Sequence, residues 1–146
     1  MAYLVDTNVL LRFADRADPQ HPIARHAVAQ LQREHSLLTT GQNLVEFWNV
    51  ITRPIDRNGF GKTPADAEPL LALTEQLFPR LPDPPDAYER WRELVVRFGV
   101  SGVKVHDTRL VVSMLANDMM HILTFNGDDF RRYEVVGIRA VEPKDI

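Results

Sequence analysis

Short apolar runs that alternate with helical stretches of ten or more residues limit what this chain can fold into more than any other feature. "YLVD" (3–6) reads as a strand, followed by a short helix over "NVLLRFA" (8–14). A second helix spans about Ile23 to Glu34, with Ala24, Ala27, Val28 and Leu31 on one face. "SLLTT" (36–40) is the next strand. "GQNLVEFWNVITRP" (41–54) is a helix that stops before Pro54, because a residue preceding proline disfavours helical angles. Further helices cover about Ala65 to Leu77, 87–99 with Gly99 as C-cap, and 106–118. A short strand near Leu81, a strand at 121–125, a loop over "NGDDFRRY" and a last strand at 134–141, with Gly137 as a candidate bulge, complete the pattern. Parallel strands covered on both faces are apolar along their length, and parallel pairs need crossover helices. The expected class is α/β: a three-layer α/β/α sandwich with a four- or five-stranded parallel sheet. In such sheets ligands bind beyond the carboxyl ends of the strands.

A length of 146 residues fits one domain, 1–146. Its prolines gather at loop positions and nothing repeats. A net charge of −3 gives no global attraction to nucleic acid or anionic membrane, so contact with either needs a local basic patch. With no cysteine, disulfides and thiolate metal sites are excluded. "MAYLVD" lacks a basic n-region, and no apolar run approaches the ~20 residues of a membrane helix. The expectation is a cytoplasmic protein without membrane attachment.

The acids carry the chemistry. Asp6 ends the first strand and precedes a helix. A lone aspartate there is more often an N-cap than a catalyst. Glu46 lies on a polar stripe with Gln42, Asn49 and Arg53. That stripe is narrow against Leu44, Val45, Phe47, Trp48, Val50 and Ile51, so the helix is expected to be largely buried with its polar edge at a cleft. Asp107 falls on the same face as Leu110, Val111 and Met114. A carboxylate pointing coreward is costly unless hydrogen-bonded or bound to a cation. Asp128 and Asp129 sit in turn-forming "NGDD".

Singly each acid fits a bland role, but together they fall on one edge of the expected sheet. Carboxylates converging to about 6 Å repel by roughly 3 kcal/mol per pair at an effective dielectric of about 20. Protonation or a divalent cation relieves this, and oxygen-only ligands favour a hard ion, Mg²⁺ or Mn²⁺. The five histidines never pair at helical spacing and offer no rival zinc site.

Asp6 in "VDTNVLL", Glu46 in "NLVEFWNVITRP", Asp107 in "HDTRLVVSMLA" and the block "LTFNGDDF" resemble the PIN-domain ribonucleases, specifically the VapC-type toxins of toxin–antitoxin pairs. The resemblance implies an acidic pocket, one or two Mg²⁺ ions (Mn²⁺ substituting) and endonucleolytic cleavage of RNA. It also implies a cognate antitoxin partner and a homodimer. Carried over, Asp6 and Asp107 are the principal metal ligands, and Glu46 completes the pocket directly or through a water. Many relatives have an acid where this chain has Asn126, so Asp129 is the nearer candidate for the fourth charge, with Asp128 behind it. Thr7 and Asn8 are polar neighbours of the pocket. Arg12, Arg53, Lys104, Arg109, Arg131 and Arg132 are candidates to meet RNA phosphates. Water activated by the metal is expected to leave a 5′-phosphate and a 3′-hydroxyl.

Two rivals remain at this stage. Phosphatases of the haloacid dehalogenase type also open on a strand-end aspartate, but need a second one where this chain has Asn8. A catalytically inactive PIN-like module that only binds RNA or a partner is the non-enzymatic alternative.

Overall fold

The computed structural model describes all 146 residues. Five strands, β1 (Ala2–Val5), β2 (Ser36–Thr40), β3 (Arg80–Leu81), β4 (His121–Leu123) and β5 (Arg139–Val141), form one sheet in the order β3-β2-β1-β4-β5. Every neighbouring pair is parallel. The crossovers are α1 (Thr7–Ala14), α2 (His21–Leu31), α3 (Gly41–Thr52), α4 (Pro64–Leu77), α5 (Ala87–Arg97) and α6 (Val105–Ala116). None of them is long and apolar enough to cross a membrane.

Alternation along the strands builds two cores. Tyr3, Val5, Leu37 and Leu123 face one side, where they pack with Val9, Leu10, Val28, Phe47 and Ile51 under α1 to α4. Leu4 and Ile122 face the other, against Leu110, Val111, Met114, Phe130 and Tyr133. The expected three-layer sandwich is therefore present, with both faces of the sheet covered. Because β2 and β4 flank β1 on opposite sides, the strand order reverses there. The crevice beyond the carboxyl ends of β1 and β4 is the switch point where open α/β sheets bind ligands.

Three segments depart from the expected pattern. The last strand forms only at Arg139–Val141, and residues Gly127–Val136 wind through 3₁₀ turns instead. Phe130 and Tyr133 are spaced by one such turn and both are buried, so core packing overrides the strand propensity of "EVV". The Tyr133 hydroxyl also meets Thr108 Oγ1 at 2.6 Å, and its ring meets Phe98 edge-on at 5.0 Å. Gly137 is no bulge: at φ +94° it closes the 3₁₀ segment in the left-handed region. Helix α2 starts at His21 and stops at Leu31; Pro22 fits its first turn, where a missing N–H costs nothing. Helix α3 is coated on one side only, since Leu44, Phe47 and Ile51 are buried but Val45 is 71% exposed.

Two expected helix stops, at Pro54 and Gly99, are met in detail. Arg53 is already extended ahead of Pro54. After α5, Gly99 takes φ +62° while Val100 N–H donates to Val95 O and Gly99 N–H to Val96 O, a Schellman stop.

Candidate active site

Asp6 and Thr124 follow β1 and β4 directly, so the sheet fixes their backbones side by side; Asp6 N–H donates to Leu123 O at 3.0 Å. Asp6 is 8% exposed, and its carboxylate takes three donors. Oδ1 accepts from Thr7 N–H at 2.8 Å, and Oδ2 from Thr124 Oγ1 at 2.8 Å and more weakly from Asn8 Nδ2 at 3.4 Å. A helix cap ordinarily serves the second or third amide of the helix, whereas Asp6 reaches only the first, so capping does not account for its orientation. One lone pair of Oδ1 stays free. Burial pushes the Asp6 carboxyl up to about 6, against the pull of Thr124 and Thr7, and the charges of Asp107 and Glu46 push the same way.

Asn8 ties the two strand ends together. Its Nδ2 also donates to Thr124 Oγ1 at 3.2 Å, and its Oδ1 accepts from Phe125 N–H at 3.1 Å.

Glu46 comes in from α3. A capping box starts that helix: Asn43 N–H donates to Thr40 Oγ1 while Asn43 Oδ1 accepts from Thr40 N–H. The other end of the buried Asn43 amide donates to Thr7 Oγ1 at 3.0 Å, and the Thr7 hydroxyl in turn donates to Glu46 Oε2 at 2.7 Å. Because a carboxylate only accepts, the direction of this relay is fixed. Glu46 Oε1 accepts from Gln42 Nε2 at 3.1 Å, and the same nitrogen reaches His106 O at 2.8 Å, which pins the first turn of α6 to α3.

Asp107 stands in that first turn, half-buried, with no hydrogen bond or ion pair to its carboxylate. Burial raises it to about 6; Asp129 and Glu46 add to the rise while Lys104 and Arg132 oppose it. Asp129 is held by Lys104 Nζ at 2.6 Å. Thus Asp6, Glu46, Asp107 and Asp129 form one electrostatic neighbourhood. They do not close into a ready cage: no three acids or histidines gather tightly enough to hold an ion as they stand.

The PIN domain family model matches residues 3–136. The chain belongs to the PIN domain family. Solved structures of similar fold include a chain of VapBC2 from Rickettsia felis, bound to a promoter DNA fragment, at 12% identity and TM-score 0.71, covering 97% of this chain and 98% of that one. A chain of VapBC-1 from nontypeable Haemophilus influenzae is 16% identical, with TM-score 0.69 and 98% of each chain covered. The sarcin–ricin loop cleaving toxin VapC20 of Mycobacterium tuberculosis is 19% identical, with TM-score 0.67, covering 94% of this chain and 96% of that one. No curated protein matches the chain.

Other expected residues of this PIN domain make no side-chain bond to these four acids, though Arg109 and Arg132 lie near them. Asp128 is 85% exposed at its side chain and pairs with Arg131, and Asn126 is exposed, its backbone N–H donating to Thr124 Oγ1 while its side chain makes no bond. Arg109 bonds Asp83 at 3.3 Å and lines an open groove of about 620 Å³ whose walls include Glu46, Gln42 and His106. Arg53 Nη2 donates to Asn58 O, and Arg12 stacks on Phe125 at 4.3 Å. Arg132 makes no side-chain bond at all, yet its charge reaches Asp107. Sequence reading missed Thr124 and Asn43 as site residues. A threonine right after β4, matching Asp6 after β1, and the T-x-x-N box were the available signals.

The raised carboxyls set a pH dependence for the metal-free PIN domain. Between the unfolded value of about 3.9 and the folded value of about 6, the folded state keeps a proton the unfolded chain has lost. This contribution is fully favourable below about pH 4 and is lost as pH rises through 6. Asp6 alone should lower stability by roughly 1–3 kcal/mol between pH 4 and 7, and Asp107 acts in the same direction. Urea unfolding in chelator at several pH values measures it. The pH slope of Asp107→Asn should be shallower than that of the wild type; identical slopes would show that Asp107 is not raised.

Proposed function

We propose that this PIN domain is a metal-dependent endoribonuclease, the toxin of a toxin–antitoxin pair. The observation that carries this is Asp107: a half-buried carboxylate with no partner, within the field of Asp6, Glu46 and Asp129. A folded protein holds such unrelieved charge where a cation is to be bound. The donor set is oxygen only and suits a hard ion. Asp6, through its free Oδ1 lone pair, and Asp107 would hold Mg²⁺ or Mn²⁺. Glu46 and Asp129 would complete the pocket through water, in keeping with a site that is not preformed.

When bound, the ion supplies Lewis acidity at the scissile phosphate and a water activated at neutral pH. The chain's own residues do the rest. Thr7 and Gln42 hold both Glu46 oxygens, so this acceptor keeps a fixed position for orienting a water. Asn8 and Thr124 lock Asp6 against rotation. Lys104 and Arg132 lie beside Asp107 and offer positive charge to the RNA phosphates.

RNA as substrate class is supported by the fold shared with VapC20, and an antitoxin partner by the fold shared with the VapBC chains. A homodimer is part of the same proposal. An antitoxin segment that blocks the pocket needs a cation for the acids, best the arginine fork, and apolar side chains for the rim. Its binding should weaken in saturating Mn²⁺ and in Asp107→Asn; indifference to both would move inhibition elsewhere.

One alternative has a specific observation behind it. Position 126 is Asn and Asp129 is already paired with Lys104, which suits an inactive RNA-binding module. Incubating the protein with total bacterial RNA and with a sarcin–ricin loop fragment, in Mg²⁺ and in chelator, separates the two. Cleavage in Mg²⁺ that chelator removes supports the nuclease. RNA binding without cleavage in either condition supports the inactive module.

A further inference from the structure

Beside the acidic pocket lies a second cavity, about 440 Å³, lined by Ala87, Tyr88, Trp91, Val105, His106 and Arg109. Its size falls in the ~300–1,000 Å³ range of small-ligand sites. The Trp91 ring is fixed, because its Nε1 donates to Val105 O at 2.8 Å. Tyr88 is 63% exposed and tilts against Trp91 with 6.0 Å between ring centres. One aromatic wall is thus rigid and the other open.

The cavity is not isolated. His106 and Arg109 also line the groove that runs to Glu46. His106 immediately precedes Asp107 in the chain, and Gln42 holds its carbonyl. Arg109 is half-exposed and held from behind: Asp83 accepts from it through Oδ2, and from Ser113 Oγ at 3.0 Å through Oδ1. A guanidinium so held borders both the aromatic cavity and the groove that includes Glu46, so one strand could set a base in the first and its phosphate on Arg109.

We propose that the Tyr88–Trp91 cavity binds one unpaired nucleobase of the RNA flanking the scissile phosphate, with Arg109 holding the phosphate between them. This rests on the ribonuclease reading above and adds a base-binding subsite to it. Aromatic faces stack any base, so the Tyr88 ring rather than its hydroxyl carries the binding and preference among bases is weak. A protein partner is less well matched, since the positive charge of Arg109 at the mouth suits a polyanion.

The test is cleavage of a short single-stranded RNA known to be cut by the wild type, with an abasic ribose placed at each position in turn. At one position beside the cut, base removal should slow wild-type kcat/KM about tenfold, the effect of losing one stacked base. Tyr88→Ala should slow the intact RNA to a similar degree and show no further loss with the abasic RNA, while Tyr88→Phe should stay near wild type. Tyr88 is mostly exposed, so the fold tolerates both variants. Independent losses in Tyr88→Ala and the abasic RNA, or none in Tyr88→Ala, overturn the subsite while leaving the nuclease intact. A change in oligomeric mass or in antitoxin binding, with an unaltered abasic profile, hands the cavity to a protein and also overturns it. If no RNA is cut, the ribonuclease reading fails first and the subsite with it.

Discussion

Asp107→Asn is expected to abolish RNA cleavage while the metal-free protein stays folded and no less stable at pH 7. The carboxylate of Asp107 has no hydrogen bond to lose, and its charge is opposed by burial and by Asp129 and Glu46. Replacing it with a neutral isostere removes that opposition. Activity should drop by more than the ~10–100-fold typical of a residue that merely supports a metal ligand. Asp6→Asn should also abolish cleavage, but it is the less clean variant. Thr124 Oγ1 already accepts from Asn8 and from Asn126 N–H, so it has no lone pair for an amide donor at position 6. Flipping that amide would set N–H against the Thr7 N–H. One hydrogen bond is lost either way, at about 1 kcal/mol or more. Single-turnover cleavage in saturating Mg²⁺, with urea unfolding in chelator, measures both halves. Wild-type cleavage by Asp107→Asn would end the metal-site assignment, and a large loss of stability would reassign Asp107 to a structural role.

Mg²⁺ or Mn²⁺ should raise the melting temperature of the wild type and not that of Asp107→Asn. An ion that binds only the folded state stabilises it by about 2.7 kcal/mol at a hundredfold excess over Kd. For a chain of this size that is on the order of 5–10 °C. The acids make the effect larger in a second way. Burial first, and mutual repulsion second, lift Asp6 and Asp107; a bound cation offsets both, so the stability lost on raising pH through 6 should return when metal is added. Calorimetry at pH 7 with and without Mn²⁺ reads the shift directly. Equal shifts in wild type and variant would mark a non-specific salt effect.

Much of this was legible in the sequence because it depends on local order. Apolar runs of strand length between helical stretches dictated a parallel sheet, and a parallel sheet dictates where its strand ends lie. Asp6 could therefore be placed at the ligand edge before any coordinates, and so could the start of α6 with Asp107. Pro54 and Gly99 fixed helix ends through backbone sterics that act within a few residues. Tertiary structure decided what depends on residues far apart in the chain. Residues 134–136 have strand propensity, yet Phe130 and Tyr133 bury themselves against α6 and wind the segment into 3₁₀ turns. Asp128 and Asp129 are adjacent and of one residue type, but Asp128 is exposed and pairs with Arg131, while Asp129 pairs with Lys104 and its charge acts on Asp107. Asn43 and Thr124 carry only local signals, a T-x-x-N box and a place right after β4, which say nothing of their distant partners. Their roles arise because α3 brings Asn43 within reach of Thr7, and β4 brings Thr124 beside Asp6, across separations of 36 and 118 residues. Hydrogen bonds need ångström-level positioning in three dimensions, and no spacing along one chain specifies that.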